Sequence, residues 1–548
     1  MPRINSPAEL EDLRKGILSQ KAPDKPCIAI CAGTNCLALG NQEVIRAFKE
    51  ELKKQSLEDK VDIRATGCHG LCERGPNVLI YPQEVYYIEV SPEDVPEIIA
   101  ETVLGKKVID RLLYTDPDTG EKAVHQSDIP FYKKQTRTII STNTMIDPQR
   151  IDDFLAIGGY SALSKALFEM TPEAVLDEIK KANLRGRGGG GFPAGLKWET
   201  ARNAPGDQKY VIINGHEGEP GAFMDRAIFT GNPHNVIEGF IIGAYAIGAS
   251  QGFIYTRHDM PQLKENIYTA LAQAEEYGLL GDNILGSGFN FHIEVHFDVG
   301  IFVSGESSAL MRSIEGKNPE PRPKYIRTSV SGIWDKPSNL NNVETWANVP
   351  QIINKGHEWY TSIGTERSKG TKLVSVSGHV NNTAVVEVPM GTTLREIVFD
   401  ICGGLPNGKK LKAVHFGGAM GGSIPENLLD TPLDFDALSG LGATMGAGGM
   451  LVLDEDTSMV EMTRTLLDFL SRESCGKCVP CREGVRQMLK VYNRLCEGKG
   501  KPGDIELLED LCDVSKKASL CSLGRTAYSP VASTLRFFRE EYEEKIVQ

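Results

Sequence analysis

The spacing of apolar and polar positions changes period several times along the chain, and each change marks a new element. Residues 1–24 are polar and read as a leading helix with a connector. The run CIAI at 27–30 predicts a short strand, residues 41–55 a helix, and residues 61–65 a second strand. Residues 172–183 carry helical spacing behind a Thr171–Pro172 start signal, and Asp147–Pro148 predicts a second such start. Two strand-like runs, 210–213 and 252–256, flank an apolar helix at 235–249, which predicts a βαβ unit and a parallel sheet. From residue 371 the pattern alternates and is β-branched: KLVSVSGHV, AVVEVPMGT, the helix TLREIVFDICG, then KAVHFGGAMGG, with MGAGGMLVLDE as the exit strand. Beyond residue 459 helices dominate, the first with an apolar stripe of Leu466, Leu467 and Leu470.

A chain of 548 residues exceeds one core and predicts three or four domains. Its hydrophobic share of 41% and charged share of 24% are those of a soluble globular protein. A net charge of −13 argues against nucleic acid or an anionic membrane surface as partner. The amino terminus is polar, without the apolar core of a signal peptide, and the run near 239–249 is too short to span a bilayer. Twelve cysteines without a secretion signal point to metal or redox chemistry in the cytoplasm rather than to disulfides.

The chemistry concentrates in residues 183–221. Gly186 and Gly188 to Gly191 form a glycine run broken only by Arg187, and Lys197 follows. Glycines let backbone N–H groups approach a phosphate closely, and the two cations add positive charge. The usual G-x-G-x-x-G fingerprint directly after a first strand is absent, so this is not an ordinary dinucleotide-binding turn.

The cysteines fall into two groups. Cys31 and Cys36, then Cys68 and Cys72, follow successive strands, which brings four thiolates to facing loop tips. C-x4-C and C-x3-C are loose for a zinc knot and suit a [2Fe–2S] cluster better. Cys475, Cys478 and Cys481 form a tight C-x2-C-x2-C whose fourth partner comes from elsewhere; a [4Fe–4S] cluster is favoured over zinc. Cys27, Cys402, Cys496 and Cys512 lie in strand or helix text and read as core.

The blocks RGRGGGGFPAGLKW, NGHEGEPGAFMDR, SGESSAL, SIEGKNPEPRPK and NNVETWANVP occur in that order, and IPFYKKQTR precedes them. Together they resemble the flavin-binding, NADH-oxidising subunit of respiratory complex I and its counterparts in NAD-linked hydrogenases and formate dehydrogenases. CHGLCERGPNVLIYPQEVYYIEV is similar to thioredoxin-like [2Fe–2S] proteins, here fused to the front. The resemblance implies an α/β multidomain chain: a thioredoxin-like [2Fe–2S] domain at 1–105, a linker at 106–136, an FMN- and nucleotide-binding domain at 137–365, a β-grasp-like domain at 366–455 that acts as scaffold, and a helical [4Fe–4S] domain at 456–548. It implies Cys521, in SLCSLGR, as the fourth ligand of the second cluster. It implies that the glycine loop and Lys197 hold the FMN phosphate and the nucleotide, and that Asn214, Asn341 and Asn342 hold FMN. Glu217 belongs to the same site, Glu219 and Glu306 line the nucleotide side, and Phe192 either stacks on adenine or fills core.

Four positions depart from the family pattern: Phe302 replaces a tyrosine, Ser307 a glutamate, Arg327 an aromatic and His216 an acid. All map near the dinucleotide or the flavin edge and bear on the choice between NAD(H) and NADP(H). The function expected is an electron-input subunit moving electrons between NAD(P)H and the iron–sulfur clusters through FMN, with no catalytic acid or base supplied by the protein. The alternatives are a flavin and iron–sulfur relay with a different physiological partner, and a zinc-stabilised interaction protein. Partners implied are the other subunits of a redox complex: a hydrogenase, formate dehydrogenase or similar catalytic subunit, and a small iron–sulfur subunit.

Overall fold

The computed structural model describes residues 3–21, 24–117, 119–298, 300–323 and 325–547. Asp118 of the TDPDTGEKA stretch and Lys324 of SIEGKNPEPRPK lie outside the described residues.

Helix α1 (Pro7–Gln20) leads, capped by Ser6, whose hydroxyl accepts from the Glu9 N–H. Strands β1 (Cys27–Cys31), β2 (Asp62–Thr66), β3 (Val78–Tyr81) and β4 (Val85–Tyr87) form a sheet of order β2-β1-β3-β4, parallel only between β1 and β2. The short helix α2 (Thr34–Ala38) and the amphipathic α3 (Asn41–Lys54) make the crossover. Residues 106–136, expected as a linker, are a docked strap. They form the hairpin β5 (Tyr114–Thr115) and β6 (Lys122–Ala123), and the Tyr132 hydroxyl meets that of Tyr86 at 2.8 Å. Ile129, Phe131 and Tyr132 are buried in a core shared with β3 and the third sheet, and such apolar area does not stay in solvent.

The second sheet is fully parallel, β10-β7-β8-β9, from β7 (Tyr210–Gly215), β8 (Gln251–Thr256), β9 (His292–Phe297) and β10 (Ser338–Asn342). Helix α4 (Pro172–Lys181) starts as expected, with the Thr171 hydroxyl accepting from the Ala174 N–H. Asp147 does not cap a helix: its carboxylate accepts from the Gln149 N–H in a local turn, and the next helix begins at Ile151. Helices α5 (Ala194–Asn203) and α6 (Pro233–Ile247) cover the sheet, the latter mostly apolar and almost wholly buried.

The third sheet runs β12-β11-β15-β13-β14: β11 (Thr371–Gly378), β12 (Ala384–Pro389), β13 (Leu411–Phe416), β14 (Gly422–Pro425) and β15 (Gly449–Asp454). The expected exit strand β15 is its central strand, parallel to β11. The helix expected in TLREIVFDICG is a short π-helical turn over Glu396–Ile401, ended by Gly403 and Gly404 with positive φ. Buried Glu387 on β12 accepts from the N–H groups of Thr138, Ile139 and Ile140 and so pins the start of the second domain to the third. Helices α7 (Met459–Glu473), α8 (Val479–Cys496), α9 (Asp504–Ala518), α10 (Ser522–Thr526) and α11 (Ser529–Phe537) close the chain around a separate core. No helix among the described residues is long and apolar enough to cross a membrane.

Candidate functional site

In the second sheet the carboxyl ends of β7 and β10 lie side by side, with Asn214 opposite Asn342. A parallel sheet opens its ligand crevice at this end. A cleft of about 800 Å³ occupies it, lined by Gly188, Gly189, Gly190, Phe192 and Lys197 on one side and by the turn from His216 to Glu219 on the other. Gly189 has φ +114°, and a Cβ there would meet Gly446 at 3.2 Å, so the loop needs glycine both for its conformation and for space. Lys197 is half-buried, its Nζ donates to the Leu340 carbonyl, and desolvation pushes its pKa down to about 8. Among the described residues it has no carboxylate partner, which leaves its ammonium available to an anion.

The other expected site residues divide. Asn342 lines the cleft, but its amide is engaged, donating to Asp225 and accepting from the Glu344 N–H at 2.9 Å. Asn214 likewise donates to the Gly305 carbonyl at 2.9 Å and accepts from the His216 N–H. Asn341 alternates to the other face of β10, away from the cleft lining, and is buried with neither amide atom partnered. Arg187 corrects the expectation that it adds charge to the cradle. Its guanidinium is fully buried behind the loop, donating to the Tyr360 hydroxyl and the Lys369 carbonyl beside Glu344, and Gly186 lies with it off the cleft.

Glu217 is locked by the Asp225 and Arg226 N–H groups and the Arg226 side chain, all donating to it. Glu219 is buried with Oε1 unpartnered, and desolvation, with some help from Glu217, pushes its pKa up to about 8. Glu306 caps the helix Ser307–Ile314 by accepting from the Ser308 and Ala309 N–H groups, and takes the Ser307 hydroxyl on Oε1. Arg327 lines the cleft, exposed and without a carboxylate partner among the described residues. Phe192 also faces the cleft and is 55% exposed, so it is not core.

The third domain is more than a scaffold, because Gly417, Met420, Thr444, Gly446 and Ala447 form one wall of the cleft. The signal for them lay in the glycine-rich GGAMGG and MGAGG turns. Asp225, from GAFMDR, was also missed; it is buried at the cleft, and burial holds its pKa well above the usual carboxylate range.

Both cysteine groups assemble. Cys31 at the end of β1 and Cys36 in α2 stand with sulfurs 3.3 Å apart, and Cys68 and Cys72 3.8 Å apart, all four buried. Two thiolates on one tetrahedral metal at about 2.3 Å lie roughly 3.8 Å from each other, so two such pairs fit one iron each. Gly33 and Gly75 leave the space: a Cβ on them would meet Cys68 Cβ at 2.9 Å and Cys36 Sγ at 2.7 Å. In the carboxy-terminal domain Cys475, Cys478, Cys481 and Cys521 line one small cavity together with Val303, Pro321, Lys477 and Leu523. Burial pushes the Cys481 thiol up to about 11, a penalty removed when a metal takes the thiolate. Cys512 lies in core against Met488, Cys27 is buried on β1, and Cys402 is buried at the end of the turn Glu396–Ile401. Val303 and Leu523 wall both the cysteine cavity and the glycine-loop cleft.

Four family descriptions match in series: thioredoxin-like [2Fe-2S] ferredoxin over residues 17–103, Nuo51 FMN-binding domain over 179–351, SLBB domain over 373–422, and NADH-ubiquinone oxidoreductase-F iron-sulfur binding region over 461–545. The NADP-reducing hydrogenase subunit HndC of Solidesulfovibrio fructosivorans is 47% identical over 414 residues, 76% of this chain and 84% of that one. The F subunit of NADH-quinone oxidoreductase from Escherichia coli is 40% identical over 406 residues, 73% of this chain and 91% of that one. The chain belongs to the family of NADH-quinone oxidoreductase F subunits and their hydrogenase counterparts. A crystal structure of NAD+-reducing [NiFe]-hydrogenase in the H2-reduced state aligns over 98% of this chain and 91% of that one, with 25% identity and a TM-score of 0.67. The cofactors of a member of this family with a fused amino-terminal ferredoxin domain are therefore FMN, [2Fe–2S] and [4Fe–4S]. The residues fit them: a half-buried lysine without a carboxylate partner among the described residues, beside a glycine cradle, for the flavin phosphate, and four clustered thiols for each iron–sulfur centre.

Proposed function

We propose that this chain is the electron-input subunit of a multisubunit oxidoreductase, exchanging electrons between NAD(P)H and two iron–sulfur clusters. The observation that carries the reading is the shared wall: Val303 and Leu523 separate the flavin cleft from the four carboxy-terminal cysteines by a single layer of side chains. Bound FMN supplies the conversion between hydride and single-electron transfer. The chain's own part is positional. The backbone of Gly188–Gly190 and the Lys197 ammonium hold phosphate, while the flank from Glu306 to Arg327 and exposed Phe192 receive the dinucleotide. The carboxy-terminal cysteine cradle, which shares a wall with the cleft, takes the electrons out.

The partners inferred are a catalytic subunit of hydrogenase, formate dehydrogenase or similar type, and a small iron–sulfur subunit. All twelve cysteines are unpaired, which fits a reducing compartment, and we place the protein in the cytoplasm. The test is anaerobic purification followed by iron, acid-labile sulfide and flavin analysis, then reduction by NADH and by NADPH. Bleaching of the flavin with either nucleotide supports the reading. A flavin that neither nucleotide reduces, in the assembled complex, replaces it with a relay whose partner is not a nicotinamide.

A further inference from the structure

The loop that carries Cys68 and Cys72 leaves the core of its own domain. Both cysteines pack with the large core of the second domain, whereas the first sheet and α3 close a core of their own. Three contacts hold the loop there. Its Gly70 carbonyl accepts from the Val385 N–H of β12 at 2.9 Å, and the Thr383 carbonyl accepts from the Glu73 N–H at 3.0 Å. Gly67 lies against Gly231, the last residue of the helix Met224–Gly231, and a Cβ on Gly67 would fall 2.4 Å from Gly231 Cα. Asn143 bridges the same two segments. It is fully buried, and its Nδ2 donates to the Cys68 carbonyl and to the Ala227 carbonyl, both at 3.2 Å. Only the NH2 group of an amide can face two carbonyls, so its orientation is fixed. The other cysteine loop is tied as well, with Gln262 Nε2 donating to the Ala32 carbonyl at 2.8 Å.

The reduction potential of an iron–sulfur cluster depends on hydrogen bonding and on solvent exposure. Reduction adds one negative charge beside four thiolates, and a low-dielectric surrounding makes that charge costly. Here part of the dry wall over Cys68 and Cys72 is supplied by the second and third domains. The helix Met224–Gly231 starts at the flavin cleft, where Asp225 lines it, and ends under the cysteine loop at Gly231. One element therefore touches both sites.

We propose that Asn143 is a positioning residue of the [2Fe–2S] cradle, and that docking of the Cys68–Cys72 loop on the second and third domains sets the reduction potential of the cluster held there. The Asn143 amide pins the Cys68 carbonyl to the helix that leads from the flavin cleft, and keeps water away from the cysteine pair. The close approach of Gly67 to Gly231 leaves no room for a side chain or a water between the two segments. The potential is then a property of the assembled chain, not of the amino-terminal domain by itself. Loosening this seam admits water, which stabilises the more negative reduced cluster and raises the potential.

The inference rests on the four amino-terminal cysteines as ligands, and the experiment separates the two. The full-length protein is purified anaerobically, and the [2Fe–2S] and [4Fe–4S] signals are followed by electron paramagnetic resonance through a redox titration, with the thermal midpoint measured alongside. Asn143→Ala is expected to raise the [2Fe–2S] potential and to leave that of the [4Fe–4S] cluster unchanged. Gly231→Ala acts on the same amide from the flavin side. Its position is helical, and the new methyl would fall 2.5 Å from Asn143 Nδ2, so it displaces the amide and shifts the potential in the same direction. In the double variant the methyl takes the space the amide leaves, and the shift is expected to equal that of Asn143→Ala alone rather than the sum of the two. A lowered thermal midpoint with the [2Fe–2S] potential at the wild-type value in both single variants overturns the proposal and makes Asn143 a packing residue only. Should Asn143→Ala lose the cluster, Gly231→Ala decides by the same reading. A wild-type protein without a [2Fe–2S] signal would sink the cysteine cradle itself.

Discussion

The Glu219 carboxyl is seated against Gly418 so closely that a Cβ on the glycine would fall 1.7 Å from its Cδ. Desolvation there lifts its pKa to about 8, against 4.5 for an ordinary glutamate. The folded state therefore binds a proton between about pH 4.5 and 8 that the unfolded chain releases, and stability falls as pH rises through that window. Glu219→Gln removes this penalty. Its thermal midpoint is expected to match the wild type near pH 4.5 and to exceed it by several degrees at pH 8, from a slope of about 1.4 kcal/mol per pH unit. Equal midpoints at pH 8 would show that the carboxylate is paired there.

Lys197 makes the opposite demand. Its ammonium is costly to keep charged in a desolvated cleft and is satisfied by a phosphate, so FMN affinity is expected to weaken as pH rises through about 8. Lys197→Met should lose roughly 10–100-fold in Kd for FMN, the worth of a charge-assisted hydrogen bond, and should lose the pH dependence above about 7 as well. Fluorescence titration of the flavin-free protein measures both. A variant that binds FMN as the wild type does would place the phosphate elsewhere.

The two cysteine groups lie in different cores: Cys68 and Cys72 pack with the large core of the second domain, and Cys481 and Cys521 with that of the helical domain. Cys36→Ala is expected to remove the [2Fe–2S] signal while leaving FMN and the second cluster, and Cys478→Ser to do the reverse, read by electron paramagnetic resonance and iron analysis. Loss of all iron from either single variant would mean that the clusters do not form independently.

Elements with local signals were legible in the sequence. The apolar runs of β7 and β8, the Thr171 cap and the buried α6 all stand where local signals placed them, and the cysteine spacings singled out seven of the cradle residues while the resemblance supplied Cys521. What depends on distant partners was not. Arg187 reads as a cation of the glycine loop until Tyr360 and Glu344, far along the chain, are seen to hold it from behind. Residues 106–136 look like a polar tether because their buried faces exist only against Tyr86 and the third sheet. His216 was visible as a departure, but Asp298, 3.0 Å from its Nε2, carries no local pattern that joins the two.

Nucleotide selectivity turns on the charges that meet the adenosine end. A carboxylate on the adenosine ribose favours NAD and repels the 2′-phosphate of NADP, whereas a nearby arginine favours the phosphate. In this cleft Glu306 is largely spent on capping its helix, accepting from two backbone N–H groups and the Ser308 hydroxyl, with Ser307 on the remaining oxygen. Its oxygens are therefore engaged within the protein where a second glutamate is missing. Arg327, exposed on the same cleft and free of any carboxylate among the described residues, is the available cation. Relaxed selectivity is the expected outcome, with NADPH accepted alongside NADH. The double variant Ser307→Glu, Arg327→Phe should lower the ratio of kcat/KM for NADPH to that for NADH by about tenfold or more, corresponding to the roughly 1–3 kcal/mol of one charged contact. Most of the change should fall on NADPH, through KM. If the ratio in the double variant stays at the wild-type value, these two side chains do not touch the adenosine end, and the dinucleotide lies along the Phe192 side of the cleft instead.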